Sequence, residues 1–290
     1  MTGREAIRGQ WVPEPGLYVV ATPIGNLGDI TERALTVLRR AAVVAAEDTR
    51  PARTLLRLAG GGARLVSLTE YNVEERTPSL LEAARRGVVA LVSEAGTPLI
   101  ADPAARLVAE AHRRGIRVSP IPGPSALSAA LSVTGFETRD VLFAGFAPRR
   151  AADLRQLLDR ARSAARLLVL FERASRLPGL LEAAAASLDD PEAVVCREMT
   201  KLHEEIVRGR CSALASRFRT AKGECTVVIA VPEPPPASED AARRMLAAMR
   251  RAGARRSAAA AEVARLTGLS RERCYELWAV SNGDLQGNGP

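Results

Sequence analysis

Leu91-Val92-Ser93-Glu94-Ala95-Gly96-Thr97-Pro98-Leu99-Ile100-Ala101-Asp102-Pro103 is the stretch around which the chain is organised. The run that leads into it, Gly87-Val88-Val89-Ala90-Leu91-Val92, is apolar without alternation, as a parallel strand covered on both faces requires. Ser-Glu-Ala-Gly-Thr-Pro cannot extend a strand. Asp102-Pro103 predicts a helix start, with Asp as N-cap and Pro at the first helical position. In open α/β sheets, ligands bind outside the carboxyl ends of the strands. A loop with one glycine and several oxygen-bearing side chains at that place is therefore a ligand loop in waiting. A plain strand-to-helix connection has the same local pattern, so the neighbouring loops decide between the two.

Upstream, Leu17 to Ala21 reads as a first strand, broken by Thr22-Pro23-Ile24-Gly25-Asn26-Leu27-Gly28-Asp29, with a helix from about Thr31. Gly25 and Gly28 do not make a G-x-G-x-x-G fingerprint and no Walker lysine follows, which disfavours a nucleotide-phosphate cradle. Val43 to Ala46 is a second strand that runs into Glu47-Asp48-Thr49-Arg50-Pro51. Asp48 or Thr49 there caps the next helix, and the same polar cluster can face the crevice that holds Glu94. Gly60-Gly61-Gly62 reads as a helix C-cap and turn. Arg64 to Leu68 is a third strand, Glu70-Tyr71-Asn72 a polar loop within reach of a substrate, and Glu74 to Arg86 a helix.

Downstream come a helix to Arg114, a strand over Ile116 to Ser119, the rigid turn Pro120 to Ser125 and a helix over Ala126 to Thr134. The free amides at the start of that last helix suit an anion; a rigid turn without a ligand fits the same residues. The regular alternation predicts an N-terminal α/β domain with a parallel sheet over residues 16–135. A second α/β set over 136–232 contains strands at Val141 to Phe146, Arg166 to Phe171, Ala193 to Glu198 and Glu224 to Val231, with a helix from Ser175 to about Ser187. His203 and Glu204 read as exposed hairpin residues. Lys201 stands out because the chain has only one other lysine, Lys222.

Composition narrows the function. No apolar run approaches membrane-spanning length, residues 1–15 read as a loose basic leader and Met1 to Gln10 lack the apolar segment of a secretory signal, so a soluble cytoplasmic protein is expected. Four cysteines without C-x-x-C spacing and two distant histidines predict unpaired thiols and no metal site. A formal charge of +8 favours an anionic partner, nucleic acid first, although Arg-rich usage also follows from a GC-rich genome. Aromatic residues are only 3%, too few for a base-stacking platform, so phosphate contacts and shape should dominate any RNA binding. Pro232-Glu233-Pro234-Pro235-Pro236 is a stiff linker, and residues 237–282 read as a small helical extension with a helix-turn-helix-like pattern.

Taken in order, Ala21 to Leu27, Glu47-Asp48-Thr49-Arg50, Ser93 to Pro103, Pro122 to Ala126, Gly145-Phe146-Ala147-Pro148, Arg197 to Lys201 and Lys222-Gly223-Glu224 resemble the ribosomal RNA small subunit methyltransferase I family. That family belongs to the tetrapyrrole-methylase-like, class III S-adenosylmethionine methyltransferases, and the resemblance covers about Leu17 to Val280. It implies two α/β domains with the methyl donor, S-adenosyl-L-methionine, in the cleft between them, and a homodimer. It also implies 2′-O-methylation of a cytidine ribose in the decoding region of 16S rRNA, with assembled small ribosomal subunits as substrate. Carried over by position, the donor should touch Pro23, Ala95, Gly96, Thr97, Ile100, Ser125 and Ala126. Asp48, Glu94 and Lys201 are candidates to accept the hydroxyl proton. Arg50, Tyr71, Arg149, Arg150 and Arg176 are candidates for holding the substrate.

Three positions depart from the family pattern. Glu94 stands where Asp is usual, and Glu172 and Arg176 are the counterparts left of a Glu-Ser-Pro-His-Arg type motif. Arg149-Arg150-Ala151-Ala152-Asp153 replaces a more basic loop. Two rival readings fit parts of the chain. One is a tetrapyrrole methyltransferase of precorrin type, against which stand the Thr22 to Leu27 turn and the extra C-terminal helices. The other is a non-catalytic nucleic-acid-binding protein that uses the C-terminal helical hairpin, and it leaves the polar crevice loops unexplained.

Overall fold

The computed structural model describes residues 11–100, 104–233 and 239–280. The chain divides into two compact units, 1–231 and 232–290. The first holds two five-stranded sheets.

Strands β1 (Gly16–Val20), β2 (Val43–Ala46), β3 (Arg64–Ser67), β4 (Val88–Val92) and β5 (Val118–Ile121) make an all-parallel sheet in the order β3-β2-β4-β1-β5. The apolar run that ends at Val92 forms the central strand, and β4 is buried at each of its positions. Helices α1 (Glu32–Arg40) and α2 (Thr49–Ala59) cover one face through Val37, Leu38, Leu55 and Leu56. Helices α3 (Val73–Arg86) and α4 (Ala105–Arg113) cover the other through Leu80, Leu81 and Leu107. Local chemistry sets these helix ends. The Thr31 hydroxyl accepts the Ala34 amide at 3.2 Å, Asp48 accepts the Arg50 amide at 2.8 Å, and Gly60 ends α2 in a left-handed conformation. The helix start expected at Asp102-Pro103 lies outside the described residues. Strand β5 begins two residues later than expected and runs through Pro120. An edge strand tolerates a residue that cannot donate to a ladder.

The second sheet is mixed. Strands β6 (Val141–Phe146), β7 (Leu167–Arg173), β8 (Glu192–Arg197), β9 (Glu205–Arg210) and β10 (Glu224–Ala230) lie in the order β6-β7-β10-β8-β9, and only β6 and β7 are parallel. Helix α5 (Ala126–Ser132) follows β5, and its Ala130 packs on Leu167, Val169 and Val228 of the second sheet. One short helix thus belongs to the chain of the first sheet and the core of the second. Helices α6 (Ala151–Ala164), α7 (Leu177–Ser187) and α8 (Cys211–Arg217) cover the opposite face through Leu158, Leu181 and Leu214. Strand β9 had no apolar run to announce it. As an edge strand it alternates between half-buried and exposed residues.

The described residues of the second unit form three helices, α9 (Glu239–Arg251), α10 (Arg256–Thr267) and α11 (Arg271–Val280), around their own core of Leu246, Val263, Cys274 and Leu277. Gly268 closes α10 in a left-handed conformation at φ 72°, which a residue without a Cβ adopts readily. The leader to Gln10, the middle of the proline linker and the tail from Ser281 lie outside the described residues. Among the described residues no helix is long and apolar enough to cross a membrane.

Leu91, in the middle of the central strand, is 2% exposed. Leu91→Ala is expected to lower the unfolding free energy by about 2–5 kcal/mol in denaturant titrations. The four cysteines are free and buried. Burial pushes the Cys196 thiol up to about 11 and those of Cys211 and Cys225 to about 12. A thiol-specific disulfide reagent at pH 8 should therefore leave all three unmodified in the folded protein and react with them only once denaturant is added.

Candidate functional site

The site is built where the strand order of the first sheet reverses. Strand β1 lies between β4 and β5, so the loops that leave β1 and β4 emerge side by side at the carboxyl edge. A two-residue antiparallel bridge clips them together. The Thr22 amide donates to the Gly96 carbonyl at 2.8 Å, and the Gly96 amide donates to the Thr22 carbonyl at 3.0 Å. The buried Ser93 hydroxyl donates to the same Gly96 carbonyl at 3.0 Å, and the Thr97 hydroxyl reaches the Pro124 carbonyl at 3.2 Å. Gly96 sits at φ 81°, and a Cβ on it would come within 3.3 Å of Ile24. The glycine is thus needed both for its backbone conformation and for the close approach of the two loops.

The facing wall comes from the second sheet. A register shift in β6 between Phe143 and Phe146, with Gly145 at φ 68°, leaves Phe146 exposed. Its ring meets Phe171 edge-on at 5.8 Å. The turn that joins β8 to β9 is bent through two left-handed residues, Glu198 and Thr200. Glu198 is held by the Glu224 amide at 2.8 Å and by the Lys201 ammonium at 3.0 Å, and Lys201 reaches Glu224 at 2.8 Å. The two walls touch at Gly25, where a Cβ would lie 2.5 Å from the Lys201 Cγ and 2.8 Å from the Thr200 hydroxyl.

Between the walls lies a cavity of about 380 Å³, a size that suits a small ligand. Its lining includes Ile24, Ile100, Phe146, Phe171 and Met199 as apolar surface and Ser93, Gly96, Thr97, Ser125 and Thr226 as small polar surface. Five carboxylates, Glu47, Glu94, Glu172, Glu198 and Glu224, line it against two cations, Arg173 and Lys201. That acid-rich wall belongs to a chain whose formal charge is +8.

Pairing sets the electrostatics. The Glu224 amide, together with Lys201, holds the Glu198 carboxyl below its usual range. Burial works against the Lys201 ammonium, but Glu224 and Glu198 outweigh it and leave the group above the ordinary lysine range. Lys201 is therefore a cation at neutral pH and not a free amine. Glu172 is 5% exposed; its Oε1 accepts the Arg173 amide at 2.8 Å and its Oε2 lies 3.3 Å from Arg176. Glu94 is exposed on the cavity wall.

Of the expected site residues, Glu94, Ala95, Gly96, Thr97, Ile100, Ser125, Ala126 and Lys201 are brought together around this cavity. Pro23 is buried behind its neighbour Ile24, which makes the lining contact instead. Asp48 and Arg50 pair with each other at the start of α2, with Nε to Oδ2 at 2.8 Å, and neither lines the cavity. The Arg50 guanidinium beside Asp48 holds that carboxyl below its usual range. Tyr71 is 92% exposed in the loop after β3, away from the lining. Arg149 and Arg150 are exposed just past β6. Arg176 is half-buried and donates to the Pro148 carbonyl at 3.0 Å.

Several lining residues had no place in the sequence reading. Glu198 and Met199 lie in the quoted Arg197 to Lys201 segment, and Phe146 in the quoted Gly-Phe-Ala-Pro segment, so a stricter use of those segments would have found them. Cys196, Cys225 and Thr226 had no such signal, because they reach the cavity only through the pairing of β8 with β10.

The comparisons with known proteins agree with this geometry. The family model described as Tetrapyrrole (Corrin/Porphyrin) Methylases matches residues 16–215. A protein of Mesorhizobium japonicum named ribosomal RNA small subunit methyltransferase I is 45% identical over 225 residues, 76% of each chain. Proteins of the same name from Micromonospora olivasterospora and Thermotoga maritima are 42% and 43% identical. The first match covers 90% of this chain and 85% of the relative, the second 75% and 99%. Among solved structures, a cobalt precorrin-4 methyltransferase of cobalamin biosynthesis aligns with a TM-score of 0.58 and 21% identity over 76% of this chain and 97% of its own. A diphthine synthase aligns with a TM-score of 0.57 and 21% identity over 74% and 90%. At that identity the two structures speak for the fold alone. A clipped pair of loops at the sheet's switch point, a cavity closed by a second mixed sheet and relatives above 40% identity lead to one statement: the chain belongs to the tetrapyrrole methylase family, in its ribosomal RNA small subunit methyltransferase I branch.

Proposed function

We propose that the protein transfers the methyl group of S-adenosyl-L-methionine to the ribose 2′-oxygen of a cytidine in the decoding region of 16S rRNA. It acts in this reading on assembled small ribosomal subunits, in the cytoplasm and as a homodimer. The observation that carries the reading is the character of the cavity. An apolar and acid-rich pocket without a phosphate-binding glycine loop suits an adenosyl group joined to a sulfonium cation, and relatives above 40% identity carry the rRNA methyltransferase name. When bound, the donor supplies a methyl group on a positively charged sulfur. Ile24, Ile100 and Met199 would hold its apolar parts, and the backbone of Ala95, Gly96 and Thr97, with Ser125 and Ala126, its polar edges.

The remaining work falls to alignment and to one proton. In-line displacement needs the hydroxyl oxygen, the methyl carbon and the sulfur in a row, and two walls fixed at Gly96 and Gly25 can hold that geometry. The 2′-hydroxyl loses its proton as it attacks. Of the three candidates read from the sequence, Asp48 is committed to the α2 cap and to Arg50 and Lys201 already carries its proton, so Glu94, on the cavity wall, is the acceptor that remains.

Thr97→Arg would fill the cavity next to Gly96 and should abolish calorimetric binding of S-adenosylmethionine while the circular dichroism spectrum and melting temperature stay near wild type. Glu94→Gln should lower kcat on unmethylated small subunits by about a hundredfold with the donor affinity within about twofold. Asp48→Ala, by contrast, should lower the melting temperature slightly by removing the α2 cap and keep most of its turnover. Parallel assays on assembled subunits, naked 16S rRNA and a tetrapyrrole test the substrate. Transfer to the tetrapyrrole alone, or failure of well-folded wild type to bind the donor, would overturn the proposal.

A further inference from the structure

Two cations line the cavity, and among the described residues one of them has carboxylate partners and the other has none. Lys201 is shared between Glu198 and Glu224. Arg176, behind the wall, faces Glu172 at 3.3 Å, and Arg50, outside it, is bound to Asp48. Arg173 lines the cavity from the last position of β7, is exposed, and has no ion pair among the described residues. Its own neighbours explain this. Glu224 is its cross-strand partner in the β7–β10 ladder, yet the Glu224 carboxylate is turned to Lys201 at 2.8 Å. Glu172, the preceding residue, takes the Arg173 backbone amide and presents its other oxygen to Arg176.

The surroundings of Arg173 fit one kind of anion. Strands β6 and β7 are parallel, so the carboxyl end of β7 lies beside that of β6, from which Arg149 and Arg150 continue as exposed residues. Arg176 fixes that stretch by donating to the Pro148 carbonyl. Arg149 and Arg150 beyond β6 and Arg173 at the end of β7 therefore lie past the ends of two adjacent parallel strands, and of the three only Arg173 lines the cavity. Spaced cations on a rim match the regular charges of a nucleic-acid backbone, and a planar guanidinium pairs with a phosphate through two parallel hydrogen bonds.

On these grounds we propose that Arg173 is the residue that grips an RNA backbone phosphate next to the nucleotide entering the cavity. The inference rests on the rRNA methyltransferase reading above and adds to it a specific contact, in which Arg176 is a positioning residue for the rim and not itself a phosphate ligand. The guanidinium recognises an oxyanion. The phosphate diester of RNA and the carboxylate of the methyl donor share that chemistry, and the test separates them.

The experiment measures equilibrium binding of the full-length protein to unmethylated small subunits at 50–200 mM KCl, and calorimetric binding of S-adenosylmethionine, for wild type, Arg173→Ala and Arg173→Lys. Arg173→Ala should weaken subunit binding about three- to tenfold and reduce the slope of log affinity against log salt by about 0.7–0.9, the value of one phosphate contact. Arg173→Lys should keep most of that slope, and donor affinity should be unchanged in both variants. A wild-type salt slope and affinity in Arg173→Ala, beside an active wild type, would overturn the assignment and leave the functional reading standing. Loss of donor binding with an unchanged salt slope would also overturn it, by giving the guanidinium to the donor's carboxylate. Failure of the wild type itself to bind or methylate the subunits would instead overturn the functional reading, and this inference with it.

Discussion

The backbone pairing of Thr22 with Gly96 is the constraint on which the site depends. Parallel strands end in loops that have no ladder to hold them, and at a switch point two such loops face one crevice. Here two main-chain hydrogen bonds tie the loops together, and the Ser93 and Thr97 hydroxyls fasten the β4 loop to itself and to the turn after β5. Hydrogen bonds of this kind contribute modestly to stability, but leaving their buried partners unsatisfied costs more. The clip therefore fixes where Ile24 and the Ala95 to Thr97 backbone stand. Glycine suits position 96, because the left-handed backbone disfavours a Cβ and one there would crowd Ile24 at 3.3 Å.

The second sheet completes the cavity by different means. Its contribution is a strained turn, with Glu198 and Thr200 both left-handed, held by a lysine between two carboxylates. Strain of this sort persists only where the surroundings over-determine it. Gly223 shows how tight they are, since a Cβ there would lie 2.6 Å from the Glu198 carboxyl. Helix α5 links the two constructions. It leaves the β5 turn of the first sheet, places Ser125 and Ala126 on the cavity and buries Ala130 in the second sheet's core. The charges around the cavity are consequently specialised. Most are consumed in holding the walls, which leaves Glu94 on the first wall and Arg173 on the second to meet what enters.

Much of this was legible in the sequence. The unbroken apolar run Val88 to Val92 predicted a strand covered on both faces, and β4 is that strand. The alternation of strands and helices predicted the parallel sheet, and the family resemblance, carried over by position, named Ala95 to Thr97, Ile100, Ser125 and Ala126, which do line one cavity. Cap chemistry was legible too, at Asp48 and Gly60. Edge strand β9 was not, because half-exposed residues alternate there without an apolar run.

What the sequence determined by itself was local: periodicity, caps, breakers, and the residue types that occupy strand ends. These depend on neighbours a few positions away, and their physics can be read along the chain. What only the tertiary structure decided was pairing across distance. That Lys201 reaches Glu224 as well as Glu198, that Arg176 donates to the Pro148 carbonyl, and that Arg173 has no carboxylate partner among the described residues all follow from which strands lie side by side. A charge has the same one-letter code whether its partner is present or absent. Only the register of β7 on β10 and the bend after β8 settle which charges are spent inside the fold and which remain for a ligand.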